Sequence, residues 1–153
     1  MSLVERHKKP GGFKKLVQSL ELTPHDRRGK IIEAMRREDP EFIAEVEKCI
    51  FEFEEFKNIP DMVITDIVYT LRNDMRSLAV ALYKCKDPEL YEKFSKNMLT
   101  AQGALFKDEI KMLEAITVGV QKGARFKVIA KARELQDAGV IALKKYSSIY
   151  PDI

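Results

Sequence analysis

Apolar residues recur along this chain at intervals of three and four positions, the spacing that places side chains on one face of an α-helix. One stripe runs through Ile43, Val46 and Ile50, and another runs through Tyr91 and Phe94. Polar residues fill the positions between them, and the connections are short. The pattern predicts an all-α chain of eight or nine helices, with segments over 13–21, 30–37, 75–83, 100–114 and 120–138 and further helices that begin near residues 40, 63 and 88.

One segment is ambiguous by composition. The sequence MVITDIVYTL at 62–71 is rich in β-branched residues, which favour strands. Its apolar residues nevertheless follow helical spacing, and no hairpin turn comes after them. We therefore predict a helix here as well.

Helix starts and one helix end carry local signals. Thr23-Pro24, Asp39-Pro40 and Asp87-Pro88 each place a side-chain acceptor before a proline, a residue without an N–H to satisfy in the first helical turn. Gly139 follows the last helical stretch and is a predicted helix-ending glycine. The two Asp-Pro starts lie 48 positions apart within similar surroundings. That offset is close to the repeat length of roughly 40–47 residues in HEAT and armadillo proteins.

Charge is unevenly distributed along the 153 residues, although the net charge is only +3. Residues 6–37 contain ten basic residues against three acidic ones, whereas residues 38–66 contain ten acidic against two basic. Residues 122–145 are basic again. Such blocks favour association with a charged partner or with another copy of the chain.

Recognisable catalytic chemistry is missing from the sequence. It contains no phosphate-binding, dinucleotide-binding, metalloprotease or serine-hydrolase motif. Two cysteines and two histidines without metal-ligand spacing leave few candidates for a zinc site. We therefore expect neither an enzyme nor a cofactor. No apolar stretch is long enough to span a bilayer, and no secretory signal is recognisable. The basic segments leave open a helical-repeat module that binds nucleic acid or an acidic protein.

Residues 48–56 carry a resemblance to a known family. The segment KCIFEFEEF resembles the Met-Phe-x-Phe hinge of the FliG family of bacterial flagellar motor switch proteins, with Ile50 in place of Met and with Phe51 and Phe53 matching. Gly11 and Gly12 resemble the Gly-Gly linker of that family. The stretches LAVALYKCKDPELYEKFSKNM and KVIAKARELQDAGVI also resemble family segments, so the similarity runs in order over residues 11–143.

The resemblance implies a fold and a division of the chain. The expected fold is all-α, with armadillo-like, right-handed superhelical repeats and a C-terminal helical torque domain. Residues 1–12 would form a tail or linker, 13–50 an armadillo-like unit, 51–56 the hinge and 57–153 the motor domain. The chain would correspond to the C-terminal part of the family's proteins, without their more N-terminal domains.

The resemblance also implies a function. The chain is expected to belong to the flagellar rotor and switch complex at the cytoplasmic face of the inner membrane. It would transmit torque and switch rotation through contacts with the stator protein MotA, the switch protein FliM and neighbouring copies in a ring. No small-molecule substrate, cofactor or nucleic acid is expected.

A charged ridge that faces the stator is a further expectation from the family. Its two consecutive acidic residues align with Asp108 and Glu109, and Lys84, Lys107 and Lys111 are the candidate basic members. Tyr83 is an equally good match for the position assigned to Lys84. The two ridge arginines of the family align with Ala101 and Thr117. These replacements suggest a divergent paralogue with altered coupling to the stator.

A helical projection of 100–114 refines this expectation. The apolar residues form a predicted arc of about 160 degrees, whose members are Leu105, Phe106, Ile110, Met112 and Leu113. Asp108 lies outside the arc and is free to meet a partner. Glu109 lies within it, either as a structural carboxylate or as a ridge residue. Phe51 and Phe53 cannot share one helical face, so either a kink buries each in turn or one is exposed. The alternative is that both are ordinary core residues without a hinge role.

Overall fold

The computed structural model describes residues 2–150, and all regular structure in that range is helical. The all-α prediction is confirmed, and the ambiguous segment forms helix α4. Met1 and residues 151–153, the ends of the predicted tail and motor domain, lie outside the described residues. The α-helices are α1 (Gly12–Glu21), α2 (His25–Glu38), α3 (Pro40–Cys49), α4 (Asp61–Thr70), α5 (Met75–Leu82), α6 (Pro88–Ser95), α7 (Thr100–Met112) and α8 (Val118–Asp137), with short 3-10 helices at Glu5–His7 and Phe53–Asn58.

Both Asp-Pro helix starts are confirmed. Asp39 accepts a hydrogen bond from the Phe42 N–H (3.1 Å), and Asp87 accepts from the N–H groups of Glu89 and Leu90 (3.1 and 3.3 Å). These carboxylates satisfy donors that have no partner inside the first turn.

The prediction of a side-chain cap at Thr23 is wrong. The first residue of α2 is His25, and no side chain caps the helix. The Thr23 hydroxyl instead donates back to the Ser19 carbonyl (2.7 Å) at the end of α1. A threonine hydroxyl between two helices can bond the backbone of either one, and here it bonds a carbonyl of the preceding helix.

The glycine at the end of α8 behaves as predicted. Gly139 has a φ of 77°, in the left-handed region. Its N–H bonds the Gln136 carbonyl (3.0 Å), and the Val140 N–H bonds the Leu135 carbonyl (2.9 Å). This pair of bonds is the Schellman motif, for which glycine is preferred because it has no Cβ.

The described chain divides into two units, one of residues 2–51 with 144–150 and the other of residues 52–143. In the first unit, α1, α2 and α3 pack around a core. Its fully buried side chains include Phe13, Val17, Leu20, Phe42, Ile43 and Val46.

Both ends of the chain complete the first unit. Val4 is buried in its core, and Lys8 pairs with Asp39 (2.6 Å). At the other end, the Tyr150 ring stacks on Phe13 (5.2 Å), and Gln18 donates to the Tyr146 hydroxyl (2.8 Å). The sequence placed 1–12 in a tail or linker and 144–150 in the motor domain. Helical periodicity did not reveal these contacts because neither end is a long helix.

In the second unit, α5 is the most buried helix and packs against α7 and α8. Every residue from Leu78 to Leu82 is buried. A second apolar centre joins the 3-10 helix to α6, where the rings of Phe53 and Phe56 lie 5.9 and 5.4 Å from that of Phe94. Over residues 2–150 we find no helix with both the length and the apolar character needed to cross a membrane.

Candidate interaction site at the junction and the charged ridge

The charged ridge, defined as Lys84, Lys107, Asp108, Glu109 and Lys111, lies in the second unit. Helix α7 carries four of these residues, and the fifth lies in the turn between α5 and α6. All except Glu109 are exposed. Among residues 2–150 the exposed four form no ion pair. These charges are therefore available to a partner.

Glu109 differs from the other ridge residues. Its side chain is only 20% exposed, and its carboxylate lies 3.9 Å from the guanidinium of Arg76 on α5. The separation is at the upper limit for an ion pair, and Arg76 is mostly exposed. Glu109 thus turns toward α5, but it is not the deeply buried structural carboxylate that the projection allowed.

The apolar arc predicted for α7 is too wide. Phe106 is buried, and Leu113 is buried just beyond the helix end. Leu105 and Met112 are 44% and 63% exposed. Because they lie three and four positions from Asp108, these side chains flank it on the exposed face. The prediction that Asp108 is exposed is confirmed, and two of its neighbours on the helix surface are apolar.

The two positions that the family resemblance aligned with arginine, Ala101 and Thr117, have different surroundings. Ala101 is exposed near the start of α7. Thr117 caps α8, since its hydroxyl accepts a hydrogen bond from the Val120 N–H (3.2 Å). Threonine is a preferred residue at this position, whereas an arginine side chain has no acceptor.

Lys84 occupies a tight turn. The Cys85 N–H bonds the Leu82 carbonyl (3.1 Å). Tyr83 has φ −61° and ψ 125°, and Lys84 has a φ of 50°. These values describe a type II turn with lysine at the position that favours glycine. The Lys84 ammonium lies 5.4 Å from the centre of the Tyr83 ring.

Two side chains of α8 hold the end of α5 next to this turn. The Gln121 amide donates to the carbonyls of Val80 (3.1 Å) and Tyr83 (2.7 Å). One helical turn further on, Arg125 donates to the Ala81 carbonyl (2.9 Å). The last carbonyls of a helix have no intrahelical donor, so α8 supplies donors that water would otherwise provide.

The predicted hinge residues lie where the two units meet in the sequence. Ile50 and Phe51 belong to the first unit and Phe53 to the second, and all three are buried. In the first unit, the Phe51 N–H bonds the buried Glu21 carboxylate (2.7 Å), and Lys144 donates to the Ile50 carbonyl (2.8 Å). The chain is not helical at residues 50–52, which satisfies the expectation of a break between the two phenylalanines.

The second unit begins with a cap of its own. The Glu52 N–H donates to the Glu55 side chain (2.6 Å) at the start of the 3-10 helix. Phe53 is the first residue of that helix, and the guanidinium of Arg125 lies 4.9 Å from its ring centre. Arg125 also lies 3.5 Å from Glu54.

Gly11 and Gly12, predicted as a linker, form the entry to α1. Gly11 has a φ of 79° and precedes the helix. A Cβ on Gly12 would lie 2.8 Å from the Arg6 carbonyl oxygen and 2.9 Å from the His7 Cα. Both positions therefore require glycine for backbone reasons, one for its conformation and one for space.

Much of the basic charge on α8 is neutralised within the chain. Lys127 pairs with Asp74 (2.5 Å) and Lys131 with Glu134 (3.3 Å). Arg133 is buried. A nucleic-acid interface needs exposed cations that are free to meet phosphates. Lys127, Lys131 and Arg133 are therefore less available to phosphates, which weighs against a nucleic-acid interface on α8.

Comparison with known proteins identifies the family. Residues 33–143 match the model of the FliG C-terminal domain. The chain belongs to this family. The flagellar motor switch protein FliG of Thermotoga maritima is 33% identical over 116 residues, which cover 76% of this chain and 34% of that protein. FliG of Borreliella burgdorferi is 26% identical over 141 residues, covering 92% of this chain and 40% of its own length. The chain thus spans between a third and two fifths of these relatives.

Solved FliG structures share the fold. A crystal structure of residues 86–343 of FliG from H. pylori superposes with a TM-score of 0.65 at 22% identity and covers 88% of this chain and 62% of that one. Full-length FliG from Aquifex aeolicus gives a TM-score of 0.55 at 23% identity over 88% of this chain and 41% of that one. The FliG resemblance predicted from residues 11–143 is confirmed.

Sequence reasoning missed several residues that shape the candidate site. Arg76 lies 3.9 Å from Glu109, while Gln121 and Arg125 hold the Lys84 turn. The spacing of Gln121 and Arg125 places them on one face of α8. That spacing was a visible signal, but which helix lies opposite this face is a tertiary fact.

Proposed function

We propose that this chain acts in a flagellar motor switch as the part of the rotor that meets the stator and transmits torque. Its membership in the FliG C-terminal domain family supports this function. The observation that carries it is Asp108, an exposed carboxylate on α7 without an ion-pair partner among residues 2–150. Exposed charges contribute little affinity but steer and register a passing partner, as a rotor requires.

The partners that follow are the stator protein MotA, the switch protein FliM and neighbouring copies in a ring. Its location would be the cytoplasmic face of the inner membrane, as a peripheral protein. Lys107, Lys111 and Lys84 would accompany Asp108 in the stator contact. Glu109 would contribute less, because its carboxylate turns toward Arg76.

Directional switching would use the non-helical residues 50–52. Support comes from the burial of Phe51 and Phe53 in separate units. Rotation at residues 50–52 requires changes in only a few backbone dihedral angles, since no helix runs through them. In the same proposal, Gly11 and Gly12 would act as the linker that leads into α1.

Stator coupling in this chain would differ from that of relatives with ridge arginines. Ala101 offers no charge, and Thr117 is engaged as a helix cap. The ridge keeps its carboxylates and has lysines on the same helix. Because lysine is a more flexible point charge than arginine, the register of the contact would be less sharply defined.

Complementation tests this function. A FliG chimera that carries this chain in place of its own C-terminal part is expressed in a strain of a motile species from which the native FliG has been deleted. We expect rotating motors and reduced swimming speed. Full wild-type speed would contradict the altered coupling, and non-rotating motors with correctly assembled rotors would contradict the torque function.

Charge reversal in the chimera locates the stator contact. Asp108→Lys is expected to lower swimming speed several-fold. Asp66→Lys is the matched control, because Asp66 is also an exposed helical carboxylate of the second unit, on α4. Equal speeds for the two variants would show that Asp108 is not part of the contact.

A further inference from the structure

The turn that presents Lys84 contains one peptide group whose orientation decides where the lysine points. Type I and type II turns differ chiefly by a flip of the peptide between their two central residues, here Tyr83 and Lys84. In the type I form Tyr83 would have a ψ near −30° and Lys84 a negative φ. The observed ψ of 125° and φ of 50° are those of the flipped, type II form.

The flipped form is unfavourable for lysine itself. A left-handed backbone conformation places the Cβ of an L-residue close to the following carbonyl, so only glycine adopts it without strain. Some interaction outside the turn must therefore favour the flipped peptide.

Gln121 supplies that interaction. The carbonyl of the peptide in question belongs to Tyr83, and it accepts the 2.7 Å hydrogen bond from the Gln121 amide. Flipping the peptide to the type I orientation would turn this oxygen away and break the bond. The second bond of the same amide, to the Val80 carbonyl, keeps the glutamine in place.

We propose that Gln121 is a positioning residue that holds the Tyr83–Lys84 peptide flipped and so sets the direction of Lys84. We also propose that Arg125 links this turn to residues 53–58, the segment that follows the junction between the two units in the sequence. The inference deepens the proposed function and rests on it, since Lys84 is a member of the charged ridge. The peptide flip is the two-state element, and Gln121 biases it.

The link to the junction consists of contacts at both ends of the turn. Arg125 bonds the Ala81 carbonyl just before it and contacts the ring of Phe53 and the Glu54 carboxylate. After the turn, Lys57 pairs with Asp87 (3.0 Å). A shift of residues 53–58 would therefore reach the Lys84 turn from two sides.

NMR on the isolated full chain tests the first part. A positive φ at Lys84 gives a strong intraresidue contact between its amide and Hα protons. In Gln121→Glu the donor to the Tyr83 carbonyl is lost, and we expect the ratio of flipped to unflipped turn to fall about tenfold, which corresponds to about 1.4 kcal/mol. Gln121→Leu, which is neutral, is expected to give the same result.

Gln102→Glu is the matched control. Gln102 uses its oxygen to accept from the Leu99 N–H, a role that glutamate keeps. It should leave the Lys84 signal unchanged. An unchanged ratio of flipped to unflipped turn in either folded Gln121 variant would overturn the inference, because a glutamine that serves only to end α5 would leave the turn as it is. If neither Gln121 variant folds, Gln121 is a core stability residue and the positioning role is equally rejected.

The second part is tested by perturbing the segment after the junction. Phe53→Leu is expected to change the intraresidue amide–Hα contact of Lys84 in the otherwise wild-type chain. The same substitution should have no such effect in the Arg125→Lys background, because lysine lacks the forked donor that joins the two segments. Arg72→Lys is the control, since Arg72 stacks on Tyr69 (4.0 Å) without touching the turn. Identical shifts in all backgrounds would refute the link through Arg125. None of these readouts needs a motor, so their failure is separate from failure of the motility tests.

Discussion

The corner between α2 and α3 and the corner between α5 and α6 use the same device with different results. In each, an aspartate before a proline caps the second helix with one carboxylate oxygen. Its other oxygen meets a lysine from the preceding 3-10 helix region, Lys8 for Asp39 and Lys57 for Asp87. The sequence echo between the two stretches therefore reflects a shared local structure.

The difference lies in the connection. A single residue, Asp39, separates α2 from α3, whereas residues 83–87 separate α5 from α6. The longer connection contains the strained Lys84 turn and exposes Lys84 and Lys86. The second corner therefore has a longer connection with two exposed lysines, one of which is the ridge residue Lys84.

The largest effect expected at either corner comes from its buried apolar anchor. Phe42→Ala removes a ring that packs edge-on against Phe13 and Tyr150, and we expect a loss of about 3–5 kcal/mol in the free energy of unfolding. Leu90→Ala should cost about 2–5 kcal/mol. Urea denaturation measures both. Losses below about 1 kcal/mol would show that the corners are not anchored as described.

The caps come next in size. Asp39→Ala and Asp87→Ala should each lower the melting temperature by about 2–4 °C, since each removes the acceptor for N-terminal donors of a helix. Asp39→Asn and Asp87→Asn keep the acceptor and lose the charge, so they should retain most of the stability. Equal losses for alanine and asparagine would assign the effect to the lysine pairs instead.

The Lys84 turn is present only at the second corner, and a substitution there should raise stability, whereas the substitutions above lower it. Lys84→Gly removes left-handed strain and is expected to raise the free energy of unfolding by up to about 1 kcal/mol. Lys86→Gly is the control, because the φ of Lys86 is not positive and glycine there adds only flexibility. Thermal denaturation of both variants decides. Destabilisation by Lys84→Gly would mean that the lysine side chain itself supports the turn.

Lowering the pH should reduce stability at the two corners by similar amounts, and by less than the substitutions above. The hydrogen bond from Lys8 lowers the pKa of Asp39, and that from Lys57 lowers the pKa of Asp87. A carboxylate whose pKa is lower in the folded state contributes stability that is present above its ordinary pKa of about 4 and is lost as the pH falls through the folded value. The double Asn variant should show a shallower fall in melting temperature below about pH 4 than the wild type. An unchanged slope would contradict these pairs.

Much of the fold could be predicted from local pattern. Helical spacing located the helices, and the Asp-Pro starts and Gly139 marked boundaries correctly because caps act within a few residues of themselves. The cap prediction at Thr23 was wrong because its hydroxyl lies within reach of two helices, and the local sequence does not decide between them. On α7, Asp108 was placed correctly, while Leu105 and Met112 were assigned to a core that does not extend to them.

The sequence by itself determined the helical class, the FliG family and the chemistry available on the ridge, because these depend on periodicity and on the order of motifs. Only the tertiary structure decided that Tyr146 and Tyr150 complete the first unit and that Arg76 lies near Glu109. It also decided that Gln121 and Arg125 hold the Lys84 turn. Each of these contacts joins residues that lie 30 or more positions apart in the sequence. Side-chain contacts between residues so far apart leave no periodic pattern in the sequence.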